Sequence, residues 1–296
     1  MAETLRDVIR QVTKKHLQKG NQLFGQCLTA VGWVNNTVPQ VEEGLVELSM
    51  ADVMAGGVVV GAALAGTRPI YLVRYQGFQW FNSPIIANYA GKSLDIWDIP
   101  CPIFIRSLAM EGGIGPVGGS SHHGLYYRMP GVKIVSPMTP NEYREVYQSF
   151  IDDNCPYYVS EHRLSYDVSE DTPDIDRDNP DFCLFPFSIT RFAAIEAAEQ
   201  ENISVYPQLW ISPTKIPIWQ IEQLKRSKYG GIVLDDDYPN GVAKQIAFDL
   251  MHKSGKPVYV LCIDEKTAGF QPYNDNFPPS KDKILNFINE KIRTNL

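Results

Sequence analysis

Basic surplus, clustered cysteines and long apolar runs are all missing from this chain. Its 296 residues carry 27 Lys and Arg against 34 Asp and Glu, for a net charge of -7. That leaves no excess of positive charge to neutralise a polyphosphate backbone, which argues against nucleic acid as a partner. Cys27, Cys101, Cys155, Cys183 and Cys262 are odd in number and widely spaced. Neither a zinc ribbon nor a compact disulfide framework is written in that spacing, so a reducing compartment, taken as the cytoplasm, is expected. The longest apolar run, residues 53–65, is interrupted by Gly56, Gly57 and Gly61. It falls short of the roughly 20 residues needed to cross a bilayer, so no membrane partner is expected. Residues 1–20 read as an amphipathic helix with Leu5, Val8, Ile9 and Val12 on one face, without the apolar stretch of a signal peptide. No GxxxxGK[ST] phosphate loop occurs.

What is present is a rhythm of short β-rich runs and helical stretches. Residues 70–74 (IYLVR), 102–106 (PIFIR), 132–136 (VKIVS) and 157–160 (YYVS) read as strands, with helices over 81–92 and 141–153. In the second helix Thr139 or Asn141 can cap, and Val146, Phe150 and Ile151 form the apolar stripe. This order predicts an α/β fold with a parallel sheet covered by helices. From Asp167 to Asp181 the chain has seven acidic residues, one Arg and two Pro, and no apolar period. Such a segment is a linker. Helices over 191–200, 217–225 and 241–254, alternating with strands over 203–210, 231–234 and 258–262, then predict a second, smaller α/β domain. The division is 1–166, an acidic linker over 167–182, and 183–296.

Two segments invite chemistry. Residues 51–66 (ADVMAGGVVVGAALAG) are mostly Gly, Ala and Val, so a helix there lets another backbone approach closely, either inside the core or across a subunit interface, with Asp52 in its first turn. Residues 112–124 (GGIGPVGGSSHHG) hold six Gly, five of them with one Pro ahead of His122 and His123, and have no apolar period. That is a loop, and paired imidazoles on a Gly-rich loop can hold or move a proton near neutral pH. No further His or Cys stands nearby at ligand spacing, so a metal is not expected on this loop.

The stretches SMADVMAGGVVVGAALAGTRPIYLVRYQGF, FNSPIIANYAGK, GGIGPVGGSSHHG and MPGVKIVSPMTPNEYREVYQSFIDDNCPYYVSEHR, in that order, resemble the pyrimidine-binding half of thiamine-diphosphate enzymes. The look is closest to the beta subunit of 2-oxo acid dehydrogenases, with transketolase more distant. GGIVLDDDYPNGVAKQIAFDL resembles the last domain of the same family. The resemblance implies a parallel-sheet pyrimidine-binding domain followed by a transketolase-type C-terminal domain. It places the acid that hydrogen-bonds the aminopyrimidine at Asp52, where the family has Glu, one methylene longer. It also implies a stacking platform at Tyr75 and Phe78, and an active-site histidine at His122 or, next, His123, which would steady an oxyanion or pass protons. Glu161 and His162 match a strand end and read as structural.

The family's metal-holding GDG motif is absent. The implied Mg²⁺ and diphosphate contacts therefore belong to a partner, a diphosphate-binding alpha subunit in an α2β2 assembly. The activity implied is that of a thiamine-diphosphate enzyme taking a small-molecule 2-oxo acid or ketose, with a lipoyl carrier protein as acceptor in the dehydrogenase case. The alternatives are the C-terminal half of a split transketolase and a non-catalytic subunit that keeps the fold and its interface.

Overall fold

The computed structural model describes residues 2–112, 118–263 and 277–294. Residues 113–117 of the Gly-rich loop and Met1 lie outside the described residues. The first part of the chain builds α1 (Leu5–Gln18), β1 (Leu23–Gly25), a short left-handed helical turn α2 (Ala30–Asn36), β2 (Leu45–Glu47), α3 (Asp52–Leu64), β3 (Ile70–Val73), α4 (Gln79–Ile85) and α5 (Gly91–Trp97). It continues through β4 (Phe104–Ala109), β5 (Lys133–Val135), α6 (Pro140–Ile151) and β6 (Tyr157–His162). After the acidic stretch come β7 (Phe182–Pro186), α7 (Thr190–Ala198), β8 (Ile203–Val205), β9 (Trp210–Ser212), α8 (Ile218–Arg226), β10 (Gly231–Leu234), α9 (Val242–Ser254), β11 (Val258–Leu261) and α10 (Lys281–Thr294).

Seven strands form one sheet in the order β2-β1-β3-β4-β6-β5-β9, and four form a second in the order β11-β10-β7-β8. Every neighbouring pair is parallel except β5 with β9. Parallel strands need both faces covered, and the helices supply that cover. On one face of the large sheet α1 and α6 bury Leu5, Val8, Ile9, Tyr143, Val146 and Phe150. Thr4 caps α1 with a full capping box to Asp7, and Thr139 caps α6 by accepting from the Glu142 amide. On the other face α3 buries Ala55, Val59, Val60 and Ala63 in a core that runs on into the second sheet through Phe185, Val233 and Ile246. Among the described residues no helix is long and apolar enough to cross a membrane.

Three details differ from the sequence reading. The helix expected over 81–92 starts at Gln79 and widens into a π-turn over Ile86–Ala90. Pro84 sits inside α4, and the donor it removes from the helical ladder accounts for a break in regularity there. The single strand expected over 203–210 is two strands in two sheets, because Pro207 cannot donate and the chain crosses over, so that Trp210 pairs with Val135 of β5. The acidic stretch is irregular, yet Ile175 bridges to Val205, and β7 already begins at Phe182.

At the centre of the large sheet Arg106 donates through Nε and Nη2 to the two carboxylate oxygens of Glu161, at 2.7 and 2.9 Å. Tyr143 and Tyr166 also donate to Glu161, and Arg106 donates to Thr37 as well. Both charged side chains are sealed from solvent, so removing either partner leaves a bare buried charge. Glu161→Ala should cost about 3 to 5 kcal/mol in urea unfolding, while replacing Arg106 and Glu161 together by Met and Leu should recover much of that loss. A loss below about 1 kcal/mol for the single variant would show that the pair contributes little.

Candidate active site

In a parallel α/β sheet, ligands collect beyond the carboxyl ends of the strands. Here β1, β3, β4 and β6 end on one edge, and the segments that follow β1, β3 and β4 carry candidate site residues. One cavity of about 130 Å³ is lined by Gln26 and Cys27 after β1, by Asp52 opening α3, and by Tyr71 through Tyr75 and Phe78 along and after β3. The structure therefore brings Asp52, Tyr75 and Phe78 to one hollow. The Tyr75 and Phe78 rings are 5.8 Å apart and tilted by 54°. Beside them Tyr71 accepts a hydrogen bond from Asn82 Nδ2 at 3.2 Å. Burial, and next the charge of Asp52, push the Tyr71 phenol well above its ordinary pKa. Asn82 stands where α4 meets α3 at Gly56, whose absent Cβ would lie 2.8 Å from Asn82 Cβ.

His122 and His123 part company. His122 lines a second cavity of about 630 Å³ together with Trp80, Leu125, Arg128, Asp237 and Tyr238. Its ring lies edge-on to Trp80, centroids 6.3 Å apart, and 6.2 Å from Tyr238. The Trp80 indole reaches its Nδ1 at 3.5 Å, and its backbone N–H donates to Gln76 Oε1 at 2.6 Å. Burial, then the neighbouring His123 charge, lower its pKa to about 4, against the Gly119 carbonyl, which raises it. His122 is thus a neutral imidazole at physiological pH.

His123 is fully enclosed behind it. Its Nε2 meets Asp235 at 3.0 to 3.1 Å and its Nδ1 meets Ser160 Oγ at 3.3 Å. Burial pulls its pKa down, but the charge and hydrogen bond of Asp235, with Asp237 and Asp236, more than offset this and raise it to about 9. His123, Asp235 and Asp236 place ligand atoms within 4.8 Å of one another, with the two ring nitrogens of His123 facing Asp235 and Ser160. His162 is also enclosed. Its Nδ1 accepts from the Leu164 amide at 3.3 Å, and burial, foremost, lowers its pKa to about 3.

The aspartates that close on this loop were not singled out in the sequence reading. Ser121 Oγ donates to Asp236 at 2.6 Å, and the Gly124 amide donates to Asp237 at 2.8 Å. Burial foremost raises Asp236 to about 6 and Asp237 to about 7; the Asp235 charge adds to both, and the His123 charge opposes it. The available signal was position: three acids following the apolar run GGIVL at the carboxyl end of a parallel strand.

The sign of the resulting pH dependence is set by His123. Its folded pKa is raised, so its contribution to stability is complete below about 6.5 and disappears as pH rises through about 9. The unfolding free energy should fall across that window by on the order of 3 kcal/mol, a shift of one unit being worth about 1.4 kcal/mol. The loss should be absent from His123→Gln in denaturant titrations at pH 6.5 and 9. An equal loss in that variant would remove His123 as its origin.

A family model described as transketolase, pyrimidine binding domain, matches residues 10–168. The chain is similar to 2-oxoisovalerate dehydrogenase subunit beta of Bacillus subtilis (strain 168), 25% identical over 226 residues covering 66% of each protein. It is also similar to the pyruvate dehydrogenase E1 component subunit beta of Gracilaria tenuistipitata var. liui, 26% identical over 215 residues, covering 64% of this chain and 66% of that one. These matches span just under two thirds of the relatives' lengths. A solved structure, "Split gene transketolase, inactive beta4 tetramer", superposes with a TM-score of 0.73 at 13% identity over 99% of both chains, a likeness of fold. The family model covers more than half of the 296 residues, and the chain belongs to the transketolase pyrimidine-binding domain family of thiamine-diphosphate enzymes.

Proposed function

We propose that this chain is the beta-type, pyrimidine-binding subunit of a two-subunit thiamine-diphosphate enzyme acting in the cytoplasm on a 2-oxo acid. The observation that carries the reading is the convergence of Asp52, Tyr75 and Phe78 on one cavity at the carboxyl edge of the sheet. The donor set suits an aminopyrimidine: a half-buried carboxylate at a helix start, two rings with apolar faces, and a further buried phenol at Tyr71. Thiamine diphosphate, when bound, supplies the carbon nucleophile and electron sink of such reactions. Asp52 would hold a proton at a ring nitrogen, Tyr75 and Phe78 would fix the ring's plane, and the apolar walls would exclude water. His122, neutral and set among Trp80 and Tyr238, is suited to donate one hydrogen bond to a developing oxyanion or to accept one proton. His123 is assigned to holding the loop.

Diphosphate and Mg²⁺ fall to a partner of alpha type. Supporting this, Val53, Met54 and Val58 on the outer face of α3 are exposed, as are Trp80, Phe81, Tyr89, Ile96 and Trp97 on α4 and beyond. An apolar surface of that extent marks an interface, and two copies of each subunit would give α2β2. The organisation proposed is a pyrimidine-binding unit over 1–166, the acidic linker over 167–182 and a C-terminal unit over 183–296. The likeness of fold to a split transketolase over nearly the whole chain favours ketol transfer as the second reading.

Thiamine diphosphate titrated into the isolated chain with Mg²⁺ should give weak binding or none, and tight binding only after a diphosphate-binding partner is added. Tight Mg²⁺-dependent binding by this chain alone would refute the division of labour. In the assembled enzyme, Asp52→Asn should keep the fold and abolish turnover, since the amide preserves volume but not the charge that retains the proton. His122→Ala should lower turnover about a hundred- to a thousandfold with little change in cofactor affinity. Parent-like turnover in both variants would remove the catalytic reading.

A further inference from the structure

The aspartates at the end of β10 are related to the SSHHG segment in a pattern the catalytic reading does not require. Asp235 takes His123, Asp236 takes Ser121 and Asp237 takes Gly124, while His122 has no aspartate partner among the described residues. The Ser121 amide also donates to the Asp236 carbonyl at 3.2 Å. The remaining contact closes a ring. His123 Nδ1 touches Ser160 Oγ, Gln76 Nε2 donates to that same oxygen at 2.7 Å, and Gln76 Oε1 accepts from the His122 amide. The fit is close, because a Cβ at Gly124 would stand 2.8 Å from Asp237 Oδ2.

We propose that Asp235, Asp236 and Asp237 are positioning residues, a clamp from the second sheet that holds the residues on either side of His122 and thereby sets the imidazole in the cavity between the sheets. The inference rests on the reading of His122 as the group that meets substrate. Stability alone is a poor explanation for the arrangement. Three adjacent carboxylates buried on one strand end carry a desolvation and repulsion cost that an apolar junction would avoid. What carboxylates provide, and apolar packing does not, is direction: an oxygen that accepts a hydrogen bond holds its donor along a defined line. Four donors answer from three neighbouring residues of one loop: the Ser121 hydroxyl, the His123 ring, the Gly124 amide and, at the carbonyl of Asp236, the Ser121 amide. The only side chain of that loop segment left to face the cavity is His122.

The test is read on the His122 ring in the full chain. Nitrogen-15 histidine NMR, assigned with His122→Gln, should show the parent ring titrating near pH 4. Asp237→Ala removes the acceptor of Gly124. The ring should then loosen into solvent and its midpoint should rise by at least about one unit toward the free-histidine value, and Asp237→Asn, which keeps one carbonyl acceptor, should restore part of the shift. Ser121→Ala serves in place of Asp237→Ala should the latter not fold, with a smaller rise expected. Ile232→Val, a core change in the same strand, supplies a loss of stability without touching the clamp and should leave the midpoint in place. The proposal is overturned by an unmoved midpoint in Asp237→Ala and Ser121→Ala, or by an equal shift in Ile232→Val. It is also overturned by stoichiometric divalent metal in the purified chain that Asp236→Asn removes. Parent-like turnover in His122→Ala alongside a shifted midpoint in Asp237→Ala would support the clamp and remove the catalytic role, so the two failures are distinguishable.

Discussion

Three carboxylates buried side by side cannot be left to one another, and the demand for donors at the end of β10 organises the centre of this molecule. Asp235, Asp236 and Asp237 directly follow a strand of the second sheet, whereas the hydroxyl, amide and imidazole that meet them belong to a loop of the first. Buried polar groups are almost always paired, so a placement of the two sheets that brings these donors to one oxygen of each aspartate is favoured over one that does not. A second tie runs the same way. Arg191 of α7, wholly buried, reaches Glu142 of α6 at 2.5 Å and the carbonyls of Ser136 and Gln208. With the apolar core continuous from Val59 to Val233, the junction combines non-directional burial with directional bonds. Burial supplies the affinity of one sheet for the other; the bonds supply the register.

That division explains how far the sequence could be read. Periodicity and capping are local, so α1, α6 and β10 stand where the residues put them, and the Thr4 and Thr139 caps are present. That Asp52, Tyr75 and Phe78 stand close to one another was legible because order and spacing along the chain carry the family pattern, and the three line one cavity. The difference between His122 and His123 was not legible. Two adjacent residues of the same type differ only in what they face, and His123 faces Asp235, 112 residues away. The aspartates themselves were hidden by composition, since a run of acids ordinarily reads as a solvated surface, and only long-range packing turns this one inward. The misreading of 203–210 has the same root: a local β signal does not say which sheet a strand joins.

The departure from the family at Asp52 is best weighed through the backbone that carries it. An acid shorter by one methylene withdraws its oxygens by about 1.5 Å, and in a proton-transfer site a misplacement of about 1 Å can cost on the order of a hundredfold. Side-chain length, however, is only half of the reach; the other half is where the helix start stands relative to the cavity. That is set by α3 against α4, and the contact there is as close as the chain allows, Gly56 leaving no room for a Cβ beside Asn82. Asn82 in turn donates to the Tyr71 phenol, whose pKa responds to the Asp52 charge. Helix depth, phenol and acid are therefore linked through a single asparagine. A longer acid at position 52 would extend into a hollow of about 130 Å³ that Tyr75 and Phe78 also line. Under the proposed reading, one added methylene in so small a space would occupy volume that the pyrimidine needs, so the shorter acid and the close helix packing would belong to one solution of the same geometric problem.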